Sequence, residues 1–300
     1  MKKILAFVVV LVALTTFGAT ARAADPIVPF PSPTVGDVFV AAQTVAVDGS
    51  MTNWFAPGAT VTFRAYAVDV KTKKFLDAKS MKYFYVTIPN AGNVKMKYDA
   101  TAPGASAQFP WTAKWTVPAT YAQGLVPFSI HVRSVAKKYG LFVQMPVTSA
   151  MLTISSGPSP SLAGSSAAQV TIPNSDVVLY IDTVNGSRPA GAAPRPVGCT
   201  QNNIFKRGEQ PVFRVWGVDL TTGQILSPDN VDTGVASIPG QPDLPLPYGA
   251  HGNTGAKVGF FANAWNVPKD YPLGDVAAKI TFKTDSGKSA TYTYTISIVA

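Results

Sequence analysis

The chain is short of the residues on which most catalysis and metal binding depend. It has one cysteine and two histidines, and only one of its sixteen acidic residues is a glutamate, Glu209. Cys199 alone excludes an intrachain disulfide. There is no Cys-x-x-Cys and no His-x-x-x-His spacing, so the usual zinc frameworks are missing. No acidic cluster and no nucleophile–base–orienter set can be assembled from motifs, so no enzyme is expected. Helical periodicity of useful length is missing. After the first stretch, no apolar run is long enough to cross a bilayer.

What is present begins with a leader. Lys2-Lys3, the apolar run Ile4 to Leu14 and Ala21-Arg22-Ala23 have the order of a secretory signal peptide over residues 1–23, with cleavage before Ala24. No cysteine follows the apolar core, so a bacterial lipid anchor is not expected. The expected location is periplasmic or extracellular. Residues 24–35 form a proline-rich, extended leader.

The rest of the chain reads twice. Phe63, Arg64, Val68, Asp69, Thr72 and Leu76 meet Phe213, Arg214, Val218, Asp219, Thr222 and Leu226 at a constant offset of 150. Trp115, Val117, Pro118, Tyr121 and Gly124 meet Trp265, Val267, Pro268, Tyr271 and Gly274 at the same offset, which runs without a gap from Phe55 to Ile130. Such a register implies a domain duplication. Short, turn-punctuated strands are predicted at Val38 to Val47, Thr60–Asp69, Met81–Ile88, Gln108 to Val117, Val126 to Ser134 and Leu141 to Ser155. A closing hairpin is predicted over Lys279–Thr284 and Ser289–Val299. The predicted fold is all-β: a first domain at 36–155, a linker at 156–172 and a second domain at 173–300. Upstream, Val47-Asp-Gly-Ser50 resembles Val184-Asn-Gly-Ser187 at an offset of 137, which places an insertion of about thirteen residues near 188–200. The first domain is expected to have the longer final hairpin, carrying Lys137, Lys138 and Tyr139.

Charge divides unevenly between the halves. Of the formal +9, residues 36–155 carry +7 and residues 173–300 carry none. A basic field of this kind attracts anionic partners.

The pattern Gly58-x-x-Val61-x-Phe63-x-x-Tyr66-x-Val68-Asp69, then a turn and Leu76, resembles the bacterial immunoglobulin-like domains of secreted and surface proteins. So does the turn Val267-Pro268-x-x-Tyr271-x-x-Gly274. The resemblance covers both halves and implies two tandem immunoglobulin-like β-sandwiches. Families of that kind serve as adhesins, spacers, ligand binders and metal carriers, so it implies no single activity.

The expected function is a non-catalytic binding or scaffolding module that contacts a protein or an anionic envelope polymer, with no specific nucleic acid. The candidate cationic contacts are Lys71, Lys73, Lys74, Lys137 and Lys138. A rival reading is a small-ligand or metal accessory protein. Arg188, Arg195 and Cys199 of the insertion would then meet Tyr248 and His251 of a glycine-flanked loop. Cys199 and His251 would offer two ligands to a transition metal, too few for a tight site. No other cofactor is expected. A third reading is a carbohydrate-binding module using Trp54, Trp111 and Trp115, although Trp115 and Tyr121 recur as Trp265 and Tyr271 and so suit a shared core. His131, within a strand, reads as structural, as do the turn-opening Asp69 and Asp219 and the paired Arg64 and Arg214.

Overall fold

The structure is a computed structural model that describes residues 28–29, 36–99, 101, 109–143, 151–159, 170–171, 175–186, 199–251 and 258–300. The leader 1–23, most of 24–35, much of the 156–172 linker, Arg188 and Arg195 lie outside the described residues. The described chain is all-β, with no helix, and builds several sheets.

Each half has an inner and an outer sheet. In the first half the inner sheet runs Val38–Val45, Thr60–Asp69, Trp111–Thr116 and Lys97–Tyr98, all antiparallel. The outer sheet runs Tyr139–Val143, Ser129–Ser134, Met81–Ile88 and Gly92–Lys95. In the second half Val177–Asn185, Pro211–Asp219, Val258–Ala264 and Tyr248–His251 form the inner sheet. Val28–Pro29 adds to it in parallel, beside Val258 and Gly259. The second outer sheet is centred on the long hairpin of Gly274–Thr284 with Ser289–Val299, and Val231–Ser237 pairs on its flank.

Strand pairing defines equivalent positions between the halves. Val45 faces Thr62, and Val184 faces Val212, so the first inner strands match at an offset of 139. The Val-x-Gly-Ser resemblance therefore lies two residues out of register, because backbone pairing and not the tetrapeptide fixes the alignment. The offset of 150 already holds at Gly49 and Cys199: both amides reach back to the end of the first strand, at Ala46 O and Asn185 O. The extra residues of the second half thus fall between Gly186 and Cys199. The final hairpin differs from expectation too. Ser134 N bonds Lys138 O and Thr284 N bonds Lys288 O, so the two turns are equal in length. Among the described residues, the final strand Ser289–Val299 of the second half corresponds to two shorter strands in the first, Tyr139–Val143 and Thr153–Ile154.

Val38–Val45 and Val177–Asn185 are buried at every residue, and so, all but one residue each, are Thr60–Asp69 and Pro211–Asp219. Sheets covered on both faces read as near-continuous apolar runs rather than as an alternation. One face of each inner sheet packs on its own outer sheet, as Phe63 on Phe128 and Phe213 on Tyr294 show. The other faces meet between the halves. There Tyr66 Oη donates to Leu179 O at 2.6 Å and Gln43 Nε2 to Ile181 O at 3.1 Å. Thr52 bridges Asn202, while Met51 N donates to Asn203 Oδ1 and Gln201 N to Asn53 Oδ1. That reciprocal exchange is what a pseudo-two-fold axis requires. The buried apolar residues of both halves accordingly form one cluster.

The junction also buries charge. Arg214 donates from Nε to Asp182 Oδ1 at 2.7 Å and pairs with its second oxygen, which also accepts from Gln201 Nε2 at 2.8 Å. At the equivalent place Arg64 donates from Nε and Nη2 to the amide oxygen of Gln43, at 3.1 and 2.9 Å. Burial pulls the Arg64 pKa down to about 10. Burial acts likewise on Arg214, but the Asp182 carboxylate outweighs it and the net shift is upward.

Candidate functional site

Of the second-half candidates, His251 lies near enough to this buried pair for Arg214 to act on it. His251 ends the strand Tyr248–His251, and its ring stacks on Phe260 at 3.9 Å and 15°. Burial, then the charge of Arg214, lowers its pKa to about 4, so the ring is neutral at pH 7. Tyr248 sits edge-on to Phe261. Cys199 is half-buried at φ 60°, where Gly49 takes 85°. Among the described residues no group of three or more His, Cys, Asp or Glu side chains could hold a metal.

The cationic candidates divide. Lys73 Nζ lies 2.5 Å from Asp176 of the other half, and Lys138 Nζ lies 2.7 and 2.6 Å from the two oxygens of Asp69. These two lysines are engaged in ion pairs within the fold. Lys71, Lys74 and Lys137 are exposed on turns. Of the three candidate tryptophans, Trp54 is half-buried and Trp111 and Trp115 are buried, Trp111 Nε1 donating to Leu76 O at 3.0 Å. Trp115 packs edge-on to Tyr121 as Trp265 does to Tyr271, so these are shared core contacts.

A different surface concentrates chemistry: the solvent face of the first half's outer sheet. Met81–Ile88 alternates, with Phe84, Val86 and Ile88 inward and Tyr83, Tyr85 and Thr87 outward. Ser129–Ser134 alternates in step and places His131 and Arg133 outward. Registration makes two cross-strand rows. One runs Leu141, His131, Tyr85, Lys95, and the other Tyr139, Arg133, Tyr83. Tyr85 stacks on His131 at 5.3 Å and 16°, Tyr83 lies 5.3 Å from Tyr85, and the Arg133 guanidinium sits 5.1 Å from the Tyr139 ring centre. His131 Nε2 lies 2.9 Å from Ser129 Oγ. Lys82, at a bulge beside Tyr83, is exposed.

The same lattice exists in the second half with other side chains. Thr233, Val235, Thr281, Lys283, Ser289 and Pro245 occupy the places of Tyr83, Tyr85, His131, Arg133, Tyr139 and Lys95. Thr281 bonds Thr291 at 3.0 Å. The charge pattern changes as well. Asp232 and Lys283 form an ion pair at 2.9 Å, whereas their equivalents Lys82 and Arg133 are both cations. Like charges on neighbouring sheet positions cost stability. Sequence reasoning passed over this face and took His131 as structural. The signal was available in the period-two alternation of Met81–Ile88 and in the aromatic-to-threonine exchanges at the offset of 150.

No family model matches the chain, and no curated protein does. Among solved structures, the chain is similar to the Bacteroides ovatus mixed-linkage glucan utilization locus protein SGBP-B in complex with a mixed-linkage heptasaccharide. Identity is 13% over 85% of this chain and 44% of that one, with a TM-score of 0.19. It is also similar to dimeric latent PorU from Porphyromonas gingivalis, at 14% identity over 87% of this chain and 24% of that one, with a TM-score of 0.24. The chain spans less than half of the first structure and about a quarter of the second. At such TM-scores neither likeness carries an argument.

Proposed function

We propose that the chain is a secreted, non-catalytic binding module that contacts an anionic partner through the solvent face of the first half's outer sheet. The reading includes two immunoglobulin-like units in tandem, a Sec-type leader, and a periplasmic or extracellular location. One observation carries it. A single lattice is aromatic and cationic in one half, at Tyr83, Tyr85, Lys95, His131, Arg133 and Tyr139, and threonine- and serine-rich in the other. The five aspartates of the first half, Asp37, Asp48, Asp69, Asp77 and Asp99, all lie outside the strands that build this face, and Asp69 is paired with Lys138.

The test is retention of the full chain on a carboxylated matrix as salt rises. Exposed charges are screened beyond about 10 Å at 0.1 M salt, so retention should fall steeply. Lys82→Gln, Lys95→Gln and Arg133→Gln together should abolish most of it. Lys206→Gln, Lys269→Gln and Lys279→Gln, an equal charge change in the second half, should leave it nearly intact. Equal losses from the two triple variants would sink the proposal.

A further inference from the structure

We infer that the partner is an acidic polysaccharide, a polymer of sugar rings bearing carboxylates; this rests on the reading just given for the same face. Strands lie about 4.8 Å apart, so the row from Leu141 to Lys95 spans roughly 14 Å across the sheet. An extended polymer several sugars long fits along it. The side chains match such a chain at two levels.

The first is hydrogen bonding. The Tyr83, Tyr85 and Tyr139 hydroxyls make no bond among the described residues, and Tyr139 is 48% exposed. A phenol both donates and accepts, as a sugar hydroxyl does. The second is charge. Arg133, Lys82 and Lys95 have no acidic partner among the described residues. A guanidinium takes a carboxylate through two parallel bonds, and the two lysines, on the next two strands of the sheet, add point charges. A neutral glycan would leave these three cations uncompensated.

The ring geometry argues against single-stranded nucleic acid, the other anionic polymer that aromatic sheet faces suit. Bases need open aromatic faces on which to stack. Here Tyr85 and His131 stack on each other, and Arg133 covers the Tyr139 ring. One face of each of these three rings is thereby taken, which leaves fewer faces open to bases.

The experiment measures affinity of the full chain for polygalacturonate and alginate, for fully methyl-esterified polygalacturonate, and for a thymidine oligonucleotide of matched charge. The expected result is binding to at least one polyuronate, with the ester and the oligonucleotide each weaker by about tenfold or more, the scale of one lost charge-assisted bond. Tyr83→Thr with Tyr85→Val, the residues of the equivalent second-half positions, should weaken polyuronate binding about tenfold. Because the second half folds with these residues, the exchange should be tolerated. No binding to either polyuronate, or equal binding of ester or oligonucleotide, overturns the inference. If retention on the carboxylated matrix still depends on Lys82, Lys95 and Arg133, the anionic-partner reading survives that failure. If it does not, both fall.

Discussion

The two outer sheets share one backbone lattice and present two surfaces. Asp232 and Lys283 neutralise each other where Lys82 and Arg133 do not, and Thr233 and Thr281 stand where Tyr83 and His131 stand. Framework demands are the same at both sites, so they cannot account for the difference. The second face mixes threonine and serine with a neutralised ion pair; the first groups tyrosines with cations that have no acidic partner among the described residues. The inner sheets make a parallel contrast. They meet face to face, yet one buried arginine answers a carboxylate and the other an amide.

The largest expected effect concerns that buried contrast. Asp182→Ala removes the carboxylate from Arg214 and should cost about 3–5 kcal/mol, because an ion left buried without its counter-charge is strongly penalised. Gln43→Ala should cost about 1–3 kcal/mol, the scale of a lost neutral acceptor, since Arg64 keeps the Phe109 ring 5.2 Å from its guanidinium carbon. Urea unfolding measures both, and equal costs would erase the distinction between the halves.

A smaller effect comes from the turns. Lys137 and Gly287 hold the same place, at φ 64° and 76°, and Lys73 and Gly223 do likewise at 60° and 72°. A side chain in this left-handed region costs roughly 1–2 kcal/mol. Lys137→Gly should therefore stabilise by about 1 kcal/mol and Gly287→Lys destabilise by as much. Opposite signs sharpen the equivalence; matching signs would break it.

A further effect is in pH. His251 has its pKa lowered from 6.5 to about 4 in the fold, by burial and then by Arg214. Between these values the unfolded chain binds more protons, so stability is fully present above about pH 6.5 and falls as pH drops toward 4. His251→Asn should flatten part of that slope. An unchanged slope would show the ring to be solvated, like an ordinary surface histidine.

Much of the fold was legible because strands alternate and because the chain repeats. The gapless pairs from Phe55 to Ile130 carry over directly into strand registers. The Val47 tetrapeptide misled because short turn motifs recur easily, whereas Val45 opposite Thr62 is fixed by a whole ladder. The junction between the halves was harder to see. Arg64 and Tyr66 look like solvent-face residues of a single sandwich, and only a second inner sheet explains their burial. The candidate face escaped for the reverse reason. Tyr83, Tyr85, His131 and Arg133 are scattered in sequence and ordinary one by one; cross-strand registration brings them together. Cys199 and His251 drew notice because they are rare, and rarity says nothing about position.

The most direct test of the central claim exchanges the two faces. One variant places Thr, Val, Thr, Lys and Ser at Tyr83, Tyr85, His131, Arg133 and Tyr139, with Lys82→Asp to restore the second half's ion pair and Lys95→Gln to remove the remaining cation. Another places Tyr, Tyr, His, Arg and Tyr at Thr233, Val235, Thr281, Lys283 and Ser289, with Asp232→Lys. Retention on the carboxylated matrix is read for both alongside the parent, at matched salt. The account expects the first to lose retention and the second to gain a second retaining face, with both still folded. Undiminished retention of the first variant would contradict it.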